Sequence, residues 1–274
     1  MPQSVKALEK HLIAAPPTAD MTSPDSYAKR PASAFLVNVC DAEEAFAQCL
    51  TKFTKKNKGQ DDTDSEENLR QISLAIIGTL MGHFETFEKA LFAGLVERSI
   101  HFPLFAIKTF IKELEKHVKS PVIDPAILLA FRNTTAPVGF VIADSLKGWH
   151  DPANVNSILK SIVKTDYFSG DDQSDLSVLW QLRHSIVHTG SWLTLPDAQK
   201  VQRLRHFGDS AIAFDNNFIT VVARRFHQIV KASNQRLKRD CVSLLGNNVD
   251  PAIRKNMDSF LGVTSLKNDW LRDQ

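Results

Sequence analysis

ISLAIIGTLMGHFETFEKALFAGLVE, residues 72–97, is the strongest structural signal in this sequence. Its large apolar side chains recur at intervals of three and four residues: Ile77, Leu80, Met81, Phe84, Phe87, Leu91 and Leu95. This spacing predicts a long amphipathic helix with one continuous apolar stripe. Gly78 and Gly82 lie four residues apart on a neighbouring face, and each costs a helix about 1 kcal/mol relative to alanine. We therefore expect another backbone to approach this helix at the two glycines, next to Glu85.

Helical spacing also dominates the rest of the chain, and no segment alternates convincingly in the manner of a β-strand. We expect shorter helices over residues 35–52, 104–119, 154–164 and 175–187, and a last long helix over about 196–245. In that last helix the apolar residues follow a heptad-like seam, which is typical of a helical bundle: Leu204, Phe207, Ala211, Phe214, Phe218 and Val221. The prediction is an all-α fold, an antiparallel bundle over residues 66–245. An N-terminal arm with one helix and a charged linker (1–65) precedes it, and a C-terminal extension (246–274) follows it.

Composition excludes several classes of protein. The chain has 274 residues with 33 Lys and Arg against 31 Asp and Glu, a net charge of +2 that excludes a protein coating nucleic acid over its whole surface. The N-terminus does not resemble a signal peptide, and the most apolar segment carries charged side chains, so we expect no membrane span. Three cysteines without a CxxC pair are typical of incidental thiols in a reducing compartment. We expect a cytoplasmic protein.

The segment with the most chemistry is QLRHSIVHTG, residues 181–190. Arg183 and His188 are five residues apart, which in an ideal helix gives a rotation of about 140°, so the two would not share a face. Gly190 predicts that the helix ends here, and unwinding of its last turn would bring His188 towards Arg183. His184 and His188 have the spacing of a zinc-binding pair, but Ser185 stands where the metalloprotease pattern needs Glu, and we predict no metal.

This motif resembles the Arg-(four to six residues)-His signature of the HEPN superfamily (higher eukaryotes and prokaryotes nucleotide-binding) in its defence and toxin branch. Residues 72–97 resemble the first core helix of that family, with Glu85 or Glu88 as its central carboxylate. Residues 148–159, GWHDPANVNSIL, resemble the turn and helix upstream of the motif. The resemblance covers about residues 68–240. It departs from the family at His184, where Asn or Asp is most frequent.

The resemblance implies a helical bundle that forms a homodimer with the active site at the dimer cleft. It further implies a metal-independent endoribonuclease with no cofactor, RNA as substrate, and an antitoxin or defence protein as partner. In such a reaction His188 would move the proton of the 2′-hydroxyl, since imidazole titrates near neutrality. Arg183 would clamp the phosphoryl oxygens. His184 would orient the phosphate or act as a second acid–base group, and Glu85 would hold Arg183 or a histidine in place.

Two features leave alternatives open. Arg203, Arg205, Arg224 and Arg225 would form a phosphate-tracking surface on the last helix, or equally a solvated face of it. Arg183, considered without the resemblance, would be an ordinary helix-end arginine paired with Asp175 or Glu85. The alternative function is accordingly a non-catalytic HEPN module that binds nucleotide or RNA or serves in assembly. A purely structural dimer, whose motif only caps a helix, is a third reading.

Overall fold

The computed structural model describes residues 23–53, 63–116, 137–246 and 249–272. The all-α class is confirmed, because helices dominate these ranges: α1 (Pro24–Lys29), α2 (Pro31–Phe53), α3 (Thr63–Arg98), α4 (Ile107–Glu115), α5 (Val138–Ser145), α6 (Pro152–Lys160), α7 (Gly170–His188), α8 (Leu195–Lys200), α9 (Phe218–Leu244) and α10 (Pro251–Phe260). Short 3₁₀ segments cover Ser99–His101, Gln202–Phe207 and Asn268–Leu271. Two strands of two residues each, β1 (Trp192–Leu193) and β2 (Ser210–Ala211), pair antiparallel, with Trp192 opposite Ala211.

Helix α3 is the centre of the molecule, as its apolar stripe predicts. All seven residues of the stripe are buried. The helix contacts α1, α2, α5 and α7, and α9 closes the far side of α2. Three aromatic rings pack together where α2, α3 and α9 meet, those of Phe35, Phe84 and Phe226. Their centroids are 5.0 to 5.2 Å apart, and the rings contact each other edge-on or at a tilt. Aromatic pairs in this range add to the free energy of burial.

Within one chain, no other backbone approaches α3 at Gly78 and Gly82 in the described residues, although their spacing predicts it. A Cβ added at Gly78 or Gly82 would meet no described atom within 4 Å. The close approach lies about three to four turns further on, where α5 crosses α3. A Cβ on Gly139 would lie 2.3 Å from the carbonyl oxygen of Ala93, so only glycine fits there.

The prediction of one long helix over residues 196–245 is wrong. The chain instead forms α8, a 3₁₀ turn and β2 before α9 begins at Phe218. Asp209 adopts a left-handed conformation (φ 61°) and its backbone N–H bonds to Leu193, so the chain reverses rather than continuing as a helix. Phe207 and Val221 of the expected seam are exposed.

The segments outside the predicted domain contribute to the same core. Helix α2 supplies Phe35 and α10 supplies Phe260, both fully buried. The structure has two helices, α1 and α2, between residues 23 and 53 where one was expected. The predicted linker lies mostly outside the described residues, as does the arm before residue 23. Within the described ranges no helix is long and apolar enough to cross a lipid bilayer.

Candidate functional site

Helix α7 carries the motif and is defined sharply at both ends. At its start the Ser169 hydroxyl accepts from the Asp172 N–H while the Asp172 carboxylate accepts from the Ser169 N–H, a reciprocal cap. At its end Gly190 turns left-handed (φ 63°) and the Ser191 N–H bonds to the Ser185 carbonyl. The helix is intact through His188, so the expected unwinding towards Arg183 is wrong.

The two histidines of the motif lie side by side. One turn of helix separates His184 from His188, and their ring centroids are 4.8 Å apart. Both residues are exposed. Behind His184, the carboxylate of Asp197 on α8 lies 3.9 Å from Nε2 and accepts from Lys200 Nζ at 2.7 Å. The hydrogen bond from Lys200 holds the pKa of Asp197 below its usual range, so the carboxylate is charged beside the imidazole pair.

Arg183 faces a cleft of about 410 Å³ between α7, α8 and the turn before α6. We call it the His150 cleft, and its polar lining includes His150, Trp180, Arg183, His184 and Lys200. The Nε of Arg183 is buried and has no hydrogen-bond partner among the described residues. The ordinary reading of this arginine is therefore wrong, because neither Asp175 nor Glu85 is its partner. Arg183 and His184 share the His150 cleft, and His188 reaches it only through its neighbour.

Glu85 holds a histidine, although not one of the motif. Its carboxylate accepts from Nε2 of His150 at 2.8 Å and from Lys89 Nζ at 2.9 Å. The hydrogen bond from His150, with that from Lys89, lowers the pKa of Glu85 to about 2, so it is ionised at neutral pH. Sequence reasoning assigned no role to His150, although the turn that carries it was part of the family resemblance.

Glu88, the other carboxyl candidate, points into the core. It is 1% exposed, and neither carboxyl oxygen has a partner among the described residues. Burial, and then the charge of Glu85, raises the pKa of Glu88 well above its usual value, so the group is a neutral acid. Of the two carboxyl groups, only Glu85 contacts a residue that lines the cleft, His150.

The four arginines proposed for nucleic acid differ in their surroundings. Arg203 and Arg225 both bind the carboxylate of Asp175, and Arg225 also contacts Asp172. The guanidinium of Arg224 lies 5.5 Å from the ring centroid of Trp270. Arg205 is exposed on the 3₁₀ segment. Two of the four positive charges are thus neutralised within the protein.

In the described part of the chain, no group of three or more His, Cys, Asp or Glu side chains is placed to hold a metal ion. No family model matches the sequence, and comparison with curated proteins and with solved structures finds no significant similarity. What the site does must be inferred from its residues and their geometry.

Proposed function

We propose that the protein is a metal-independent endoribonuclease of the HEPN type whose working groups are Arg183, His184 and His188. One observation carries this proposal: His184, whose ring lies 4.8 Å from that of His188, shares a cleft with Arg183, and the buried Nε of Arg183 has no partner among the described residues. Imidazole is the side chain that both gives and takes protons near neutral pH. Arginine stays charged and binds phosphoryl oxygens in a fixed geometry.

The reaction follows from these groups. One imidazole removes the proton of a ribose 2′-hydroxyl, whose oxygen then attacks the adjacent phosphorus and forms a new P–O bond. The bond from phosphorus to the 5′-oxygen breaks, and a protonated imidazole gives that oxygen its proton. Arg183 stabilises the negative charge that gathers on the phosphoryl oxygens. The products are a 2′,3′-cyclic phosphate and a 5′-hydroxyl.

A homodimer would complete this site. Val187, Trp192, Leu195 and Phe207 are large apolar residues, all exposed, on α7, β1, α8 and the following 3₁₀ turn, the elements that surround the histidine pair. Exposed apolar side chains concentrated in this way mark an interaction surface. A second copy on this surface would bring two His184–His188 pairs together, which suits an enzyme whose Arg183 and His188 lie on different faces of α7.

A non-catalytic binding module is the second candidate. The observation that favours it is the same separation: in one chain Arg183 lines the His150 cleft and His188 does not. A cleft that holds Arg183, His150 and His184 but not His188 would bind a phosphate without cutting it. In either case an antitoxin or defence partner would act by covering the histidines.

RNA cleavage in EDTA separates the two functions. We expect the purified protein to cut single-stranded RNA, and Arg183→Ala and His188→Ala each to lower the rate about a hundredfold or more. His101→Gln, at the far end of α3 and outside the cleft, is the matched control and should cut at the wild-type rate. Cleavage that persists in both alanine variants would refute the site. RNA binding without cleavage by the wild-type protein would favour the binding module. Growth arrest on induction in a bacterial host, lost in His188→Ala, would support a toxin role.

A further inference from the structure

The turn that carries His150 is built to hold that residue in one position. Gly148 is left-handed (φ 86°), and a Cβ there would lie 2.4 Å from the Asn154 side chain. The Asn154 amide donates to the carbonyls of Lys147 and Gly148. Immediately after His150, the Asp151 carboxylate caps α6 by accepting from the N–H groups of residues 153 and 154.

The imidazole itself is fixed on two sides. Its Nε2 donates to Glu85, and its ring lies 4.4 Å from the Trp180 ring, centroid to centroid. Its Nδ1 makes no hydrogen bond with the described residues, and half of the side chain (51%) is exposed to the cleft and solvent. A surface histidine without a role would not need a buried tryptophan and an ionised carboxylate to set its rotamer. The arrangement resembles the carboxylate-oriented imidazoles of enzymes, in which one nitrogen is fixed and the other is left for the ligand.

Three of the side chains that line the cleft in front of this ring carry hydrogen-bond donors, those of Trp180, Arg183 and Lys200. The buried indole N–H of Trp180 and the Nε–H of Arg183 both lack partners among the described residues. Lys200 lies at the opposite side, held by Asp197. Asp151 also lines the cleft, and its Oδ1 accepts the N–H groups that cap α6. Donors without acceptors favour an anion, and the cleft volume of about 410 Å³ accommodates a phosphate with part of a nucleoside.

We propose that the His150 cleft is a phosphate-binding subsite in which the open Nδ1 of His150 contacts the phosphate. Glu85 is the positioning residue, because its carboxylate accepts from Nε2 and fixes the ring. The proposal deepens the proposed ribonuclease, because the ligand it names is a nucleotide phosphate of the RNA strand next to the one that is cut. Arg183 and His184 line the same cleft, which joins this subsite to the histidine pair.

Binding of two probes tests the subsite in the full-length protein with ¹³C-labelled histidine rings. The probes are inorganic phosphate and adenosine 3′-monophosphate, and loss of one signal in His150→Gln identifies the His150 ring. We expect both probes to move that signal saturably. Measured by calorimetry, the affinity for adenosine 3′-monophosphate should be about tenfold lower in His150→Gln than in the wild type. This is the contribution of one charge-assisted hydrogen bond. Glu85→Gln should lower the same affinity about threefold, and the His150 signal should remain in its spectrum. His101→Gln, at the far end of α3, should bind as the wild type does.

The outcomes separate this inference from the function on which it rests. If the probes move the His150 signal and the protein does not cut RNA, the subsite stands and the ribonuclease proposal fails. If the protein cuts RNA while neither probe moves the signal, the subsite is refuted alone. Equal affinity in His150→Gln and the wild type, with both variants folded by thermal melting, would also refute it.

Discussion

The His150 cleft and the interior of the molecule each contain a histidine and a carboxyl group, and the two regions treat them differently. In the interior, His227 donates from Nδ1 to the Ala223 carbonyl and accepts at Nε2 from the Ser265 hydroxyl, so both ring nitrogens are used. In the cleft, His150 has one nitrogen bonded and one open.

The carboxyl groups differ in the same way. Glu85 and Glu88 are less than one turn apart on α3, yet Glu85 is held in its charged form by His150 and Lys89 while Glu88 is a neutral acid among apolar side chains. A polar residue therefore indicates function when it keeps its charge and when one of its hydrogen-bonding atoms has no partner within the protein. A buried histidine with both nitrogens satisfied has a structural role.

Replacing each histidine by alanine should give the largest contrast in stability. His227→Ala removes two hydrogen bonds and leaves a cavity beside Cys40 and Trp270, so we expect the free energy of unfolding to fall by about 2–4 kcal/mol. His150→Ala should cost less than about 1 kcal/mol, since its ring is half exposed. Urea denaturation measures both. Equal losses would mean that the cleft histidine is as structural as the buried one.

Replacing the neutral acid should stabilise the protein. Glu88→Met removes two unsatisfied oxygens at similar volume, and we expect a gain of about 1–3 kcal/mol at pH 7. Because the pKa of Glu88 is raised in the folded protein, the unfolded chain loses its proton first, so stability should fall as pH rises above about 4.5. Stability curves against pH for the two proteins should therefore diverge above that pH. A destabilised Glu88→Met protein would show that the acid has an unseen partner.

The smallest effect is expected at Glu85. Its pKa of about 2 lies below the unfolded value, so its contribution to stability is present above about pH 4.5 and is lost as pH falls towards 2. Its partner His150 is half exposed and its own side chain a quarter exposed, so the contribution is screened by solvent. Glu85→Gln should lower the unfolding free energy at pH 7 by less than about 1 kcal/mol. A larger loss, measured by the same urea denaturation, would show that the main role of Glu85 is to stabilise the fold.

The sequence predicts these regions unequally. The apolar stripe of α3 is local and periodic, so its burial could be predicted and is confirmed. The helix expected over residues 196–245 failed because apolar spacing carries no information about Asp209, whose left-handed backbone reverses the chain. A role for His150 could not be predicted because its partners are distant in sequence. Glu85 lies 65 residues before it, and Trp180 lies on α7, beyond the whole of α6. Asp197, which supports His184, is likewise brought there only by the turn into α8.

In the proposed function, the groups left open at the end of α7 cut RNA through its 2′-hydroxyl. The most direct test compares, in EDTA, one RNA oligonucleotide with the same oligonucleotide carrying a single 2′-deoxyribose on the 5′ side of the cleavage site. We predict cleavage of the first with a 2′,3′-cyclic phosphate end, and no cleavage of the second at that site, because the attacking oxygen is missing. Equal cleavage of both oligonucleotides would contradict the account.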